Sequence, residues 1–292
     1  MKRFLLFVFA LAWVAGASAQ KTITPEGADE TVRLWDNTTA KYSNYETRDE
    51  AWNNKRHTSI KQTSSCELYI FHADPAKNRG VAIAIFPGGS YVHLSFHSSL
   101  ARWYASIGVT VALVKYRLPN GGHWEAMLED AAGAVRYLRT RTDLGIDPMR
   151  VGVGGSSAGG HLASWVSNAM EDGEKPAFAI LHYGAMLRTQ FYTTLKGNNA
   201  LLGKGFTYQQ AEDLTITNMV SETTPPTLML LCDDDNMVRS YSSTTYYATL
   251  LRYGVKASIH IYPNGGHSLT KHTKEYRAAI VDWLDWLGFV KQ

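Results

Sequence analysis

Residues 150–160 read RVGVGGSSAGG, a short apolar run that breaks into glycines around two serines. This stretch reads as a buried strand turning sharply into a helix, and it constrains the fold more than any other part of the chain. Ser157 sits in Gly155-Ser156-Ser157-Ala158-Gly159, a match to G-x-S-x-G. A serine held on such a strained turn needs neighbours without side chains, because bulk two residues to either side would strike backbone. Moving the register to Ser156 would demand glycine at Ala158, so Ser157 is the candidate nucleophile. A phosphate cradle is the competing use of a glycine-rich turn, but it wants a lysine after the glycines, and none follows.

The surrounding sequence repeats the same alternation. CELYIFHA, VAIAIF, VTVALVKY, RVGVGG, AFAILHYG, PTLMLL and ASIHIYP read as strands, most of them short and nearly unbroken apolar runs. Such runs suit strands buried on both faces. Helical stretches such as EAMLEDAAGAVRYLRTR and TKEYRAAIVDWLDWL separate many of them. The class is therefore α/β, a mainly parallel sheet with helices on both faces. No internal repeat or low-complexity linker divides the chain, so a single domain is expected over residues 20–292. Residues 20–63 are polar with scattered aromatics and read as an ordered arm laid over the core. Residues 185–225 break the alternation, and their length and irregularity read as a lid insertion.

The opening MKRFLLFVFALAWVAGASAQ carries two cations, a short apolar stretch and small residues ending Ala17-Ser18-Ala19. This is the pattern of a secretory leader cut after Ala19, which implies a secreted or periplasmic product. The apolar stretch is short of the roughly 20 residues that span a bilayer, so no stable membrane anchor is expected. Loss of Lys2 and Arg3 lowers the formal net charge of +3 by two, leaving no basic excess that would suggest a nucleic acid partner. The two cysteines, Cys66 and Cys232, could pair on count alone, but their strands should lie near opposite edges of the sheet. Oligomeric state is left open.

A serine hydroxyl becomes a nucleophile when a base takes its proton and an acid orients that base. With a nucleophile elbow the chain order should be serine, acid, histidine. LMLLCDDDNMV supplies Asp233, Asp234 and Asp235 just past one late strand, and IYPNGGHSL supplies His267 just past the last. Both lie at strand C-terminal ends, where open α/β sheets build their sites. Of the other histidines, His161 should pack under the helix after Ser157 and His182 should lie in a strand, while His93, His97 and His123 fall on loops. The aspartate run lacks the glycine and distal glutamate of a calcium loop, so no metal and no cofactor is expected. The Ala158 N–H can supply one oxyanion donor, and the loop Pro87-Gly88-Gly89-Ser90-Tyr91 can supply another.

These residues resemble the secreted bacterial carbohydrate acetylesterases of the α/β-hydrolase superfamily, the acetylxylan-esterase-like enzymes. The similarity runs through RLWD, FPGGSY, VKYRLPN, LEDAAGAVRYLR, DPMRVGVGGSSAGGHLAS, ALLG, PPTLMLLCDDDNMV and YPNGGHS, nearly the whole chain after the leader. The resemblance implies an α/β-hydrolase fold and a serine esterase that takes small acyl groups from plant-type saccharides. It selects Asp235 as the acid, His267 as the base, and the Gly89 and Ser90 amides as oxyanion donors beside Ala158. Three positions depart from the family pattern. Ser90 stands where glycine is usual, Arg239 where proline usually follows the valine, and Ser268 where a second glycine follows the histidine; all three border the expected pocket. Tyr91, Phe191 and Tyr192 are candidate substrate contacts. A feruloyl-type esterase or a peptidase is the alternative enzyme, and a saccharide-binding protein that keeps the fold without catalysis is the third reading.

Overall fold

The computed structural model describes residues 25–52, 58–187 and 199–290. The expected leader lies outside them, as do Phe191 and Tyr192. In chain order the strands are β1 (Glu30–Asp36), β2 (Ala51–Trp52), β3 (Ser59–Lys61), β4 (Ser65–Phe71), β5 (Val81–Phe86), β6 (Leu94–Ser95), β7 (Val109–Lys115), β8 (Val151–Ser156), β9 (Ala179–His182), β10 (Thr227–Cys232) and β11 (Ala257–Tyr262). The helices are α1 (Ser98–Ser106), α2 (Trp124–Thr140), α3 (Ala158–Ala169), α4 (Tyr208–Asp213), α5 (Ser240–Arg252) and α6 (Thr273–Trp286).

Eight strands form one sheet in the order β1-β4-β7-β5-β8-β9-β10-β11. From β7 to β11 every pairing is parallel, while β1 and β4 join antiparallel at one edge. The central runs VAIAIF, VTVALVK and TLMLLC are buried along their whole length, which explains their lack of polar alternation. Because the central strands are parallel, their C-terminal ends share one rim. The turns after β5, β7, β8, β9, β10 and β11 therefore converge, and the site is built there.

The arm is more ordered than its composition suggests. Residues 30–36 form the edge strand β1, and a second sheet of order β2-β3-β6 joins arm residues to the segment that follows β5. Phe96 N donates to Thr58 O at 2.8 Å, extending that seam. A buried ion network fastens the arm at its other end. Arg117, just past β7, is fully buried and meets the equally buried Asp130 of α2 through Nε at 3.1 Å and Nη2 at 2.7 Å. It also reaches Glu129, the Asn37 side chain and the Tyr42 carbonyl, while the Trp35 indole donates to Asp130.

The described part of the segment expected to be a lid is anchored in the core at both ends. Met186, Leu201 and Ile216 are fully buried and Leu214 nearly so, with the six-residue α4 between them. Cys66 and Cys232 lie on strands second from opposite edges, and both thiols are free and buried. Among the described residues no helix is long and apolar enough to cross a membrane.

Candidate active site

β8 ends at Ser156, and α3 begins at Ala158; the residue between them, Ser157, has φ 55° and ψ −121°. Positive φ is costly for a residue with a side chain, so the surroundings must impose it. A Cβ at Gly155 would stand 2.3 Å from Gly159 O, and one at Gly159 would stand 1.9 Å from Phe86 O. Both glycines are thus demanded by close backbone approach. Ser157 N donates to His182 O at 3.0 Å, which fixes the turn against the end of β9.

The turn delivers Ser157 Oγ to His267 Nε2 at 2.8 Å, and His267 Nδ1 meets Asp235 Oδ2 at 2.6 Å. These three residues come from the ends of β8, β10 and β11. Asp235 is fully buried, and its second oxygen accepts from Met237 N at 2.8 Å and Val238 N at 2.9 Å. Burial pushes its carboxyl pKa up, but the His267 hydrogen bond and these amides outweigh that and hold it below the ordinary aspartate value. The carboxylate is therefore charged at neutral pH.

The three adjacent aspartates divide their work. Asp233 is exposed, Asp235 faces His267, and Asp234 accepts from Gly266 N at 2.7 Å and Gly265 N at 3.2 Å. Asp234 therefore pins the loop that carries the imidazole, a task that spacing alone did not reveal. Tyr183, also unforeseen, lays its ring against His267 with centroids 4.6 Å apart and bonds its hydroxyl to Ser156. Its only sequence signal is its place one residue past the end of β9.

The oxyanion candidates lie on the loop after β5, where a Cβ at Gly88 would come within 2.6 Å of Ser156 O. Gly89 has φ 135° and Ser90 φ 54°; Ser90 thus holds a left-handed conformation that glycine would adopt freely. Among the described residues, the N–H groups of Gly89, Ser90 and Ala158 have no acceptor. Three donors with open valence lie on the two turns that meet where Gly88 approaches Ser157.

Tyr91, expected as a substrate contact, turns its hydroxyl inward. It is 3% exposed, its hydroxyl donates to Ala158 O at 2.8 Å, and it lies 2.7 Å from His161 Nδ1. It braces the oxyanion loop against the first turn of α3. His161 is fully buried there, as expected, with Nε2 3.2 Å from Leu214 O. His182 is buried at the end of β9, and desolvation, aided by His97, pulls its pKa down to about 4, so it stays neutral. Of the departures from the family pattern, Arg239 is exposed and donates to Asn236, and Ser268 bonds Thr270 within its own turn. Among the described residues no group of three or more potential metal ligands gathers.

Comparison with known proteins follows the same lines. Residues 83–271 match a protein family described as having the alpha/beta hydrolase fold. An acetylxylan esterase of Xylanibacter ruminicola is 30% identical over 223 residues, 73% of this chain and 46% of that relative. The chain thus spans less than half the length of that protein. The acetyl ester-xyloside bifunctional hydrolase of Caldicellulosiruptor lactoaceticus superposes with a TM-score of 0.74 at 30% identity, covering 92% of this chain and 99% of the other. A thermophilic esterase of Thermogutta terrifontis shares the fold at a TM-score of 0.63 and 19% identity, covering 83% of this chain and 93% of the other.

Proposed function

Because the chain belongs to the alpha/beta hydrolase family, we propose that it is a secreted serine esterase that removes acetyl or other small acyl groups from plant-type saccharides. The observation that carries this reading is the continuous relay from Ser157 Oγ through His267 to Asp235. The names of the acetylxylan esterase and the acetyl ester-xyloside hydrolase point to the substrate class, and the leader pattern of residues 1–19 points to export.

The chemistry is acyl transfer in two halves. Ser157 Oγ attacks the ester carbonyl while His267 Nε2 takes its proton, and Asp235 holds the Nδ1–H and offsets the imidazolium charge. The oxyanion that forms is met by the N–H groups of Ala158, Gly89 and Ser90. The intermediate collapses as His267 returns the proton to the departing sugar oxygen, leaving the acyl group on Ser157. Water then attacks that ester, giving its proton to the same nitrogen, and the carboxylic acid leaves with Ser157 restored. No step calls on a cofactor.

The test is release of acetate from acetylated xylan, glucomannan and pectin, beside ferulate release from feruloylated xylan. Acetate should appear with at least one of the three, and Ser157→Ala should lower turnover on the order of 10⁶-fold without changing the unfolding midpoint. Release of ferulate alone would transfer the assignment to the feruloyl class. Full activity in Ser157→Ala would remove the serine mechanism.

A further inference from the structure

Among the described residues, seven other than glycine hold positive φ: Tyr45, Gln62, Ser90, Tyr91, Asn120, Ser157 and Tyr183. Strained backbone persists where its surroundings over-determine it, and it gathers at working sites. Ser90, Ser157 and Tyr183 belong to the reaction centre already described. Gln62, Tyr91 and Asn120 line an open cleft of about 330 Å³ together with Glu46, Arg48 and Lys61. That volume lies at the small end of the usual range for ligand pockets, about 300–1,000 Å³.

The cleft adjoins the oxyanion loop, because Tyr91 and Val92, which follow the oxyanion candidate Ser90, line it, and Val92 N closes that loop on Gly89 O. Its far wall comes from the arm, and the β3–β6 pairing sets that wall's position, with Ile60 opposite Leu94. Asn120 lies in the turn after β7, on the same rim as Ser157. Asn120 donates its amide to Asn44 O at 3.1 Å, leaving its side-chain carbonyl to face other partners.

The charges in the cleft do not cancel. Arg48 and Glu46 satisfy each other, with Nε at 2.8 Å and Nη2 at 2.5 Å. Lys61 is exposed, and its ammonium has no acidic partner among the described residues. It stands close enough to the oxyanion loop that, after burial, its field is what lowers the His93 pKa. One uncompensated cation amid amide groups is a poor match for an apolar alcohol and a good one for a hydroxyl-rich anion.

We propose that this cleft receives the alcohol side of the ester and selects an acidic saccharide, with Lys61 facing the carboxylate of a uronic acid close to the acylated sugar. The proposal rests on the esterase reading and narrows its substrate. Neutral acetylated chains still react, but they leave Lys61 unpaired. Glu46 contributes by keeping Arg48 in place and by making a misplaced carboxylate unwelcome.

Two acetylated xylo-oligosaccharides, identical except for a glucuronic acid branch, test the idea beside p-nitrophenyl acetate. The native enzyme should show a kcat/KM about three- to fivefold higher on the acidic oligosaccharide, the range of a partly exposed ion pair, and added salt should erase the preference. Lys61→Gln should abolish it and Lys61→Glu should invert it, the change falling on KM rather than kcat. Rates are taken per active site titrated with p-nitrophenyl acetate, which removes any effect of misfolding. Equal rates on the two oligosaccharides, or a preference that survives Lys61→Glu, would overturn the cleft assignment while leaving the esterase intact. If no ester is hydrolysed, the esterase reading falls instead, and calorimetric binding of the deacetylated acidic oligosaccharide decides the cleft. Binding weakened by Lys61→Glu keeps the site, and binding indifferent to it removes the site.

Discussion

The relay at Ser157 and the cluster at Arg117 are both chains of charged hydrogen bonds, and they differ in where they stop. Around Arg117 each end is tied off: Asp130, Glu129, Asn37 and Tyr42 take up the guanidinium, and both residues of the central pair are fully buried. At the reaction centre only Asp235 is buried; His267 is half-buried, and the Ser157 hydroxyl forms the open end. A closed network can hold two segments together but offers nothing to a substrate. An open one spends its inner bonds on orientation and leaves one atom to react.

If that contrast is right, damage to the two clusters should register in different assays. Asp235→Asn should produce the largest effect, a loss on the order of 10⁴ in kcat, because an asparagine cannot hold His267 in the required tautomer. Its unfolding midpoint in urea should shift little by comparison. A variant that kept its turnover and lost its stability would erase the distinction.

Arg117→Met should do the reverse. It leaves Asp130 buried and unpaired, which costs about 3–5 kcal/mol of folding stability. Turnover per folded molecule should stay within about threefold of the native value, an allowance of under 1 kcal/mol. Denaturant titration and active-site titration on the same sample separate the two quantities. A large drop in turnover at full folding would show that the arm reaches the chemistry through this network.

The smallest expected effect is one of acidity. The Asp235 pKa is lowered in the folded protein, so its carboxylate adds stability above the unfolded value of about 3.9, and that contribution fades as pH falls through the folded pKa. The native protein should therefore lose its stability advantage over Asp235→Asn as pH drops below about 4. Urea midpoints of both proteins at pH 6 and pH 3 measure the gap. A gap that widened in acid would mean the carboxylate is not held by its neighbours as described.

How far these features could be read from sequence depended on how local their causes are. The central strands announce themselves because burial on both faces leaves unbroken apolar runs such as VAIAIF. The elbow does so because its glycines answer to backbone within five residues, or to the strand beside it. β1 escaped notice because ETVRLWD is a half-exposed edge strand whose pairing with β4 shifts register between Arg33 and Trp35. Nothing in residues 117 and 130 taken alone says that they share a buried pair with Trp35. The inward bonds of Tyr91 escaped notice for a related reason. An aromatic residue beside a reaction centre invites assignment as a wall, yet its hydroxyl found partners 67 and 70 residues away. Choosing Asp235 among three aspartates needed the family pattern, since only the fold decides which of them faces His267.

The separation of Ser157 and His267 by 110 residues sets a schedule as well as a geometry. As the chain is made from its N-terminus, the arm, the oxyanion loop and the elbow all exist before the base does. Each parallel pairing from β8 to β11 must then form in turn to carry His267 back to the serine, and such non-local closure is slow. A newborn molecule can hold most of its sheet and a finished nucleophile turn while remaining inert. The first hydrolysed ester in a refolding experiment therefore times the docking of the far edge, and it should lag the recovery of strand signal rather than accompany it.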